Sequence, residues 1–379
     1  MIYGYRYEPI RERVPTWIDR RFQIQGYGED NLYPQRAIRA RDSSKTVKAC
    51  VDRYAEFLNG EGFTDPALAS MVLNRKGHTG NDFLDHLAKS AATNQGFWVH
   101  VGYNLNYKVN SVKVINYEYN RFDIPDEEGD FYFIKYCNNW ENNPYKNPTS
   151  IQEICDYPVF DPRPEVVKEQ IAQAGGILNY KGQLFYWTPE EGQYPKCTFD
   201  VVLDQAQTQN EIAIFDLAME QNGFKGGHAL MYPKAFADAN EERQVQERLE
   251  AFAGRGAGAT MIIENPGGTL KANEIIVPLQ MQNTDGLHEN VDKRTKNDIR
   301  EAFGMPPEII GQIPESGLFN KQQMEEAYTY YNSLTRNGRN IISRQVKRIL
   351  DHWHQPITAD YTIIPQKYTL DAASVGTNG

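Results

Sequence analysis

The chain has 379 residues, enough for two or three globular domains or one elongated multi-part subunit, and its 40% apolar content supports an ordinary core. A net charge of −10 and a pI near 5.3 exclude a general nucleic-acid binder, although an acidic wall can surround DNA without gripping it. Cys50, Cys137, Cys155 and Cys197 make no C-x-x-C pair and read as reduced thiols, while 23 tyrosines favour interfaces and half-buried surfaces.

In chain order, residues 1–43 are rich in Arg, Tyr and Pro with weak periodicity, and read as an extended arm lying over another surface, such as a neighbouring subunit. The opening MIYGYRYEPIRERVP has no signal-peptide core and no stretch approaches a membrane span, so a soluble, intracellular protein is expected. Ser43-Ser44 caps a helix in which Val47, Val51, Tyr54, Ala55 and Leu58 share a face, ended by Gly60 and Gly62. A second helix runs from Asn81 to about Thr93. Strand-like runs follow at 97–105, 109–124 and 130–137, the last two joined by a turn at Pro125–Gly129. Residues 44–137 therefore predict an α+β unit with a meandering antiparallel sheet. Residues 138–200, rich in Asn, Pro and Tyr, predict peripheral decoration: a helix from Pro164 to about Ala174, then strands at Ile177–Tyr180 and Gln183–Trp187.

From Phe199 to Gly223 the spacing predicts a helix with a broad mixed face that includes Val202, Ala206, Ile212, Phe215 and Leu217. Residues 224–281 predict a small α/β module: strand 228–233, helix 240–254, strand 259–264 and strand 274–281. A helix from Thr284 or Asp285 follows, with an apolar stripe of Leu287, Val291, Ile299, Ala302 and Phe303. Gly304 stops it and Pro306-Pro307 forbids continuation. The two helices bracket the module as a stem carries a tip. A last helix opens at Asn320. Met324, Ala327, Tyr328, Tyr331, Leu334, Ile341, Ile342, Val346, Ile349, Leu350 and Trp353 recur at three- and four-residue steps, with a bend expected near Gly338 and Asn340. At ~1.5 Å per residue it is a rod of roughly 45–50 Å.

Catalytic motifs are missing. GRGAGAT (254–260) follows a helix and precedes a strand, the reverse of a phosphate loop, and reads as a connection. His352 and His354 bring no third ligand, and Asp126, Glu127 and Glu128 read as solvated turn charges. The mixed charges around 285–300 fit either a solvated helix or contact between identical subunits. No metal, cofactor or enzymatic activity is expected.

Ile299-Arg-Glu-Ala-Phe-Gly-Met-Pro-Pro-Glu-Ile-Ile-Gly311, followed by Asn320-Lys-Gln-Gln-Met-Glu-Glu326, resembles the phrase in the portal proteins of tailed bacteriophages, the HK97-like group. Met305 stands for the usual valine and Ile310 for the usual leucine. KTVKACVDRYAEFLNGEGF (45–63) and DFLDHLAKSAATNQGFWVHVGYNLN (82–106) resemble further pieces, so the likeness runs in order over about residues 40–355.

The resemblance implies a homo-dodecameric ring at one capsid vertex, through which terminase packages double-stranded DNA that is later ejected. It implies an N-terminal arm (1–43), a wing (44–198), stem helices (199–223 and 282–304) and a clip (224–281). A channel loop (305–319), a long wing helix (320–353) and a C-terminal segment (354–379) with a short or absent crown complete it. The family motif is carried by Phe303, Gly304, Met305, Pro306, Pro307 and Gly311. The DNA-facing loop would be Gly311, Gln312, Ile313, Pro314, Glu315, Ser316, Gly317, Leu318 and Phe319, with Lys321 nearby. Clip contacts with terminase or connector proteins would fall to Lys225, His228, Arg243, Arg248 and Arg255. The major capsid protein is a further implied partner, no membrane is involved, and the implied location is the virion after assembly in the bacterial cytoplasm. The alternatives are another head–tail connector ring, for which this chain is long, and a phage-encoded DNA-processing enzyme, for which it lacks a Walker loop or an acidic metal cluster.

Overall fold

The computed structural model describes residues 16–141, 154–189, 194–221, 228–232, 240, 243–244, 260–264, 276–278, 285–311 and 321–368. They fall into two compact units: Met1–Leu203 together with Ile299–Gly379, and Asp204–Asp298.

The first unit opens with a hairpin, β1 (Thr16–Asp19) and β2 (Ile24–Tyr27), and helix α1 (Tyr33–Ser43). Residues 16–43, expected as an extended arm, are thus folded into the unit; residues 1–15 lie outside the described residues. The reason is burial: Ile24 and Tyr27 are 0% and 2% exposed, and the Asp19 carboxylate closes the turn by accepting from the Arg21 and Phe22 amides. The alternation was too short and too broken by Gly26 to read as a strand pair.

Helix α2 (Lys45–Asn59) is capped by the Ser44 side chain, which accepts from the Val47 amide. A short α3 (Pro66–Ser70) precedes α4 (Gly80–Asn94), which starts on a reciprocal capping box between Thr79 and Asp82. Facing α2 with Phe83, Leu84, Leu87 and Ala88, α4 builds the helical half of the core against Val47, Cys50, Val51 and Leu58.

The expected single meander is two sheets. In the first, β3 (Phe97–Tyr103) lies between β4 (Val109–Ile115) and β8 (Gln183–Trp187), all antiparallel. Phe97, Trp98, Val99 and Val101 are buried on both faces, as a central strand demands. A 3₁₀ turn at Tyr117–Tyr119 then breaks the run expected over 109–124. The chain restarts as β5 (Asn120–Phe122), which pairs with β6 (Phe133–Tyr136), and β6 pairs in turn with β7 (Cys155–Pro158). The two sheets meet where Val159 bridges Leu184. Helix α5 (Pro164–Gln173) forms as expected, but Ile177–Tyr180 is a turn, because Gly175 and Gly176 with positive φ reverse the chain ahead of it. With β7 and β8 hydrogen-bonded into the sheets, residues 154–187 are part of the sheet unit and not peripheral to it.

In the second unit, α6 (Leu203–Gln221) follows a 3₁₀ turn at Asp200–Val202. Three strands form a sheet with β9 (His228–Tyr232) central, β10 (Thr260–Glu264) parallel to it and β11 (Ile276–Pro278) antiparallel. A parallel pair needs a crossover. The intervening residues have room for the helix expected at 240–254, of which Asn240, Arg243 and Gln244 are described and helical. Helix α7 (Asp285–Ala302) returns the chain to the first unit, where α8 (Lys321–Leu350) spans thirty residues.

Candidate functional site

The segment joining α7 to α8 is built on a helix stop. The Met305 amide donates to the Arg300 carbonyl at 3.1 Å and the Gly304 amide to the Glu301 carbonyl at 2.9 Å, with Gly304 at φ +56°. This pair of bonds around a left-handed residue is the Schellman motif, and glycine adopts that conformation without the Cβ penalty. Phe303, Met305 and Ile309 are 9%, 3% and 3% exposed, so the residues around the stop are pinned in the first unit. Pro306 and Pro307 follow, and a second left-handed glycine, Gly311 at φ +74°, receives the chain after a turn in which its amide donates to Glu308.

Two elements hold the stop. The Phe303 ring lies edge-on to Tyr54 of α2 at 6.3 Å, and the Tyr331 hydroxyl of α8 donates to the Phe303 carbonyl at 3.4 Å. Helix α8 is itself fixed on α2, because Phe57 packs edge-on against Tyr331 at 4.8 Å. The helix runs unbroken through Gly338, near which a bend was expected. A Cβ on Gly338 would sit 2.5 Å from Leu58 Cδ2, so this glycine permits close approach of two helices. The Arg339 guanidinium, 5% exposed, donates to the Phe57 carbonyl, the Thr335 hydroxyl, and the Asn332 carbonyl and side-chain oxygen. Burial lowers its pKa, with Arg336 adding to the effect. Leu334, assigned to the apolar stripe, is 50% exposed, whereas Thr335 and Arg339 occupy the buried face. Trp353 lies beyond the helix, in a bridge to Val109.

The chain beyond α8 is strapped across α2's exit. Ile363 bridges Phe63, the Thr64 amide donates to the Thr362 carbonyl and the Glu61 amide to the Ile364 carbonyl. Ser343 donates to Tyr361 and Asn332 to Gln366, so residues 361–366 run back along α8.

Of the loop candidates, Gly311 and Lys321 are described. Lys321 pairs with Glu325 of its own helix at 3.6 Å, both well exposed. Gln312, Ile313, Pro314, Glu315, Ser316, Gly317, Leu318 and Phe319 lie outside the described residues. So do Lys225, Arg248 and Arg255 of the clip; His228 begins β9 and Arg243 is exposed on a helical turn. Asp126 shapes a turn: its carboxylate accepts from the Asp130 and Glu128 amides and the Tyr132 hydroxyl, and these bonds hold its pKa below the usual value. His352 and His354 exchange backbone bonds with Val109 and line no cluster; among the described residues no group of His, Cys, Asp and Glu could hold a metal. No described helix is long and apolar enough to cross a membrane.

Sequence reasoning missed Arg339 and a second buried guanidinium, Arg121. Arg121 is 0% exposed and among the described residues donates only to neutral acceptors: Asn31, Gln35, and the Glu118 and Asn120 carbonyls. Its charge lies 5.7 Å from the Tyr27 ring centroid and 5.1 Å from that of Trp140, and burial lowers its pKa to about 10. An arginine flanked by Asn and Phe in a strand carries no signal of that burial.

The architecture is α+β, with a small inserted sheet module between two long helices and a thirty-residue helix after the stop. No family model matches the sequence, and no curated protein does. Among solved structures, the chain is similar to one described as the virion of a native gene transfer agent particle, at 14% identity and a TM-score of 0.47, over 84% of this chain and 81% of that one. A chain from the neck of the same native particle, computed with C12 symmetry, matches at 12% identity and 0.46, over 85% and 82%. An HK97 family phage portal protein from Corynebacterium diphtheriae matches at 10% identity and 0.40, over 84% and 90%. At these values the residue roles have to be argued from the chain itself.

Proposed function

We propose that the chain is the portal subunit of a tailed phage: twelve copies close a ring at one capsid vertex, double-stranded DNA passes through its bore, and the protein is not an enzyme. The observation that carries the reading is the order of parts. The chain leaves its first unit along α6, builds a three-stranded module, and returns along α7. It then halts at Gly304-Met305-Pro306-Pro307, and α8 opens after residues 312–320. That order is colinear with the phrases that resemble portal proteins.

The chemistry of α6 supports a channel wall. Residues 203–221 hold Asp204, Glu211, Asp216 and Glu220 and no Lys or Arg. Each cation on a wall adds a phosphate contact that would have to be broken for DNA to move, so an acidic helix favours sliding. Ile214 and Leu217 of α6 are each 53% exposed, which fits a helix that meets a neighbouring copy. In this reading α6 and α7 are the stem, 224–281 is the clip that meets terminase and connector proteins, and Gly311–Phe319 face the DNA with Lys321 close by. Residues 1–15 reach a neighbouring copy, and the wing meets the capsid protein.

The test is negative-stain microscopy of the purified chain at micromolar concentration. Rings with a bore of roughly 20–40 Å are expected, since B-DNA with its ~12 Å major groove must pass. Monomers or compact dimers alone would overturn the portal reading, and closed rings too narrow for a duplex would favour a different connector.

A further inference from the structure

The first unit holds a cleft of about 570 Å³ between the 72–75 segment, the β3–β4 hairpin, the 177–182 turn and the residues just after α8. None of its lining residues is Asp or Glu, in a chain whose net charge is −10. Arg75, Lys181, His100 and His354 line it instead. Lys113 stands directly opposite His100 across the β3–β4 pair, and its charge reaches the imidazole. Asp161, whose charge acts on Tyr103 of the lining, is paired with Arg163 Nη2 at 2.5 Å. Arg75 has no hydrogen-bond or ion-pair partner among the described residues, and Lys181 reaches only the Cys155 sulfur at 3.6 Å.

Two further features describe the ligand. His100 Nε2 lies 2.6 Å from the Lys181 carbonyl and donates to it; burial, with a smaller effect from Lys113, lowers the ring's pKa against that bond and favours the neutral form. Nδ1 therefore keeps an acceptor lone pair, suited to a hydroxyl or amino group beside an anion. Tyr180 and Trp353 supply aromatic surface. The volume falls within the ~300–1,000 Å³ of pockets that take organic molecules, and an inorganic ion would leave most of it to water. Arginine and lysine together favour phosphate, which the guanidinium meets with two parallel bonds.

We propose that this cleft binds an organic phosphate of nucleotide size, either a free mononucleotide or the 5′-terminal nucleotide of a strand. The phosphate sits against Arg75 and Lys181, and the organic body lies along Tyr180 and Trp353 with a donor to His100. The proposal does not rest on the portal reading, because binding is measured on the purified chain whatever its assembly.

The experiment is calorimetric titration of the full chain at low salt with AMP, adenosine, inorganic phosphate, and a tetranucleotide with or without a 5′-phosphate. AMP is expected to saturate with a Kd tighter than about 1 mM, with adenosine and inorganic phosphate each at least ~10-fold weaker. Arg75→Glu and Lys181→Glu alter exposed side chains of the lining and should each weaken AMP about 10-fold or more with thermal unfolding unchanged. If the 5′-phosphorylated tetranucleotide binds more tightly than AMP, and its unphosphorylated form does not, the natural ligand is a strand end; if AMP is tighter, it is a free nucleotide. The proposal is overturned by the lack of saturable AMP binding, by both variants matching the parent, or by inorganic phosphate binding as well as AMP.

Discussion

Tyr27 stacks on Tyr194 at 4.0 Å and on Tyr33 at 5.3 Å, and its hydroxyl donates to the Pro195 carbonyl at 2.5 Å. Burial raises the pKa of Tyr27, Tyr33, Tyr117, Tyr194 and Tyr331 above that of an ordinary phenol, and that of Tyr361 to about 12. An unfolded phenol ionises near 10, a folded one only above it, so between those values the unfolded chain sheds its protons first. The stability these phenols contribute is complete below pH 10 and is lost as pH rises beyond it. Denaturant midpoints are expected to stay level up to about pH 9 and to fall above 10, in step with tyrosinate absorbance. Tyrosinate appearing at ordinary pH without loss of stability would contradict the burial. Abundant tyrosine was read as favouring interfaces and half-buried surfaces, and Tyr33, Tyr54, Tyr157 and Tyr186 are half-buried, but Tyr27, Tyr117, Tyr194 and Tyr331 lie in the core. Composition counts hydroxyls but not their acceptors, and here Pro195, Gln25 and Asp200 accept from Tyr27, Tyr194 and Tyr33. Arg121 and Arg339 were illegible for the same reason, since each also relies on a carbonyl distant in sequence, that of Asn31 and that of Phe57.

At the scale of elements, those with a strong 3.6-residue period and a stop signal were legible: α2, α4, α5, α7 and α8 lie within a few residues of expectation. The stop after α7 was read from Gly304 and Pro306, and the hydrogen bonds give it a local cause, so the phrase marks a helix end before it marks a function. What failed were elements defined by pairing. Strand β7 and the β1–β2 hairpin have little alternation of their own and exist because β6 and the aromatic core receive them. Gly338 was read as a bend because a helix-interior glycine usually weakens a helix; its partner Leu58 lies far away in sequence. Gly338→Ala gains about 1 kcal/mol of helix propensity but forces a methyl onto a buried leucine, at about 1–3 kcal/mol. A net loss is expected, and a double-mutant cycle with Leu58→Ala should return a favourable coupling of about 1 kcal/mol or more. Additive effects would mean that the helices do not approach this closely.

For the whole molecule, the proposed ring separates what holds the subunit together from what meets DNA. The anchor at Phe303, Tyr54 and Tyr331 lies in the first unit, and its described contacts join α2, α7 and α8. Deleting 312–319 is therefore expected to leave rings intact under the microscope, while DNA packaging or retention falls in an in vivo complementation assay. Failure of the variant to form rings would make the segment structural. The negative charge of α6 belongs to the same division, because a wall that repels phosphate makes movement insensitive to sequence.

The strap at Thr64 and Thr362 joins residues 298 positions apart. A ribosome adding ~5–20 residues per second needs roughly 15–60 s to make the second partner after the first. Through that interval Phe57 and Leu58 of α2 have no α8 to cover them, and Phe63 has no Ile363. The first unit is begun early and closed last, around a second unit that is synthesised in between. Subunits able to close the proposed ring therefore arise only after residues 321–364 have been made, which keeps shorter nascent chains out of the assembly.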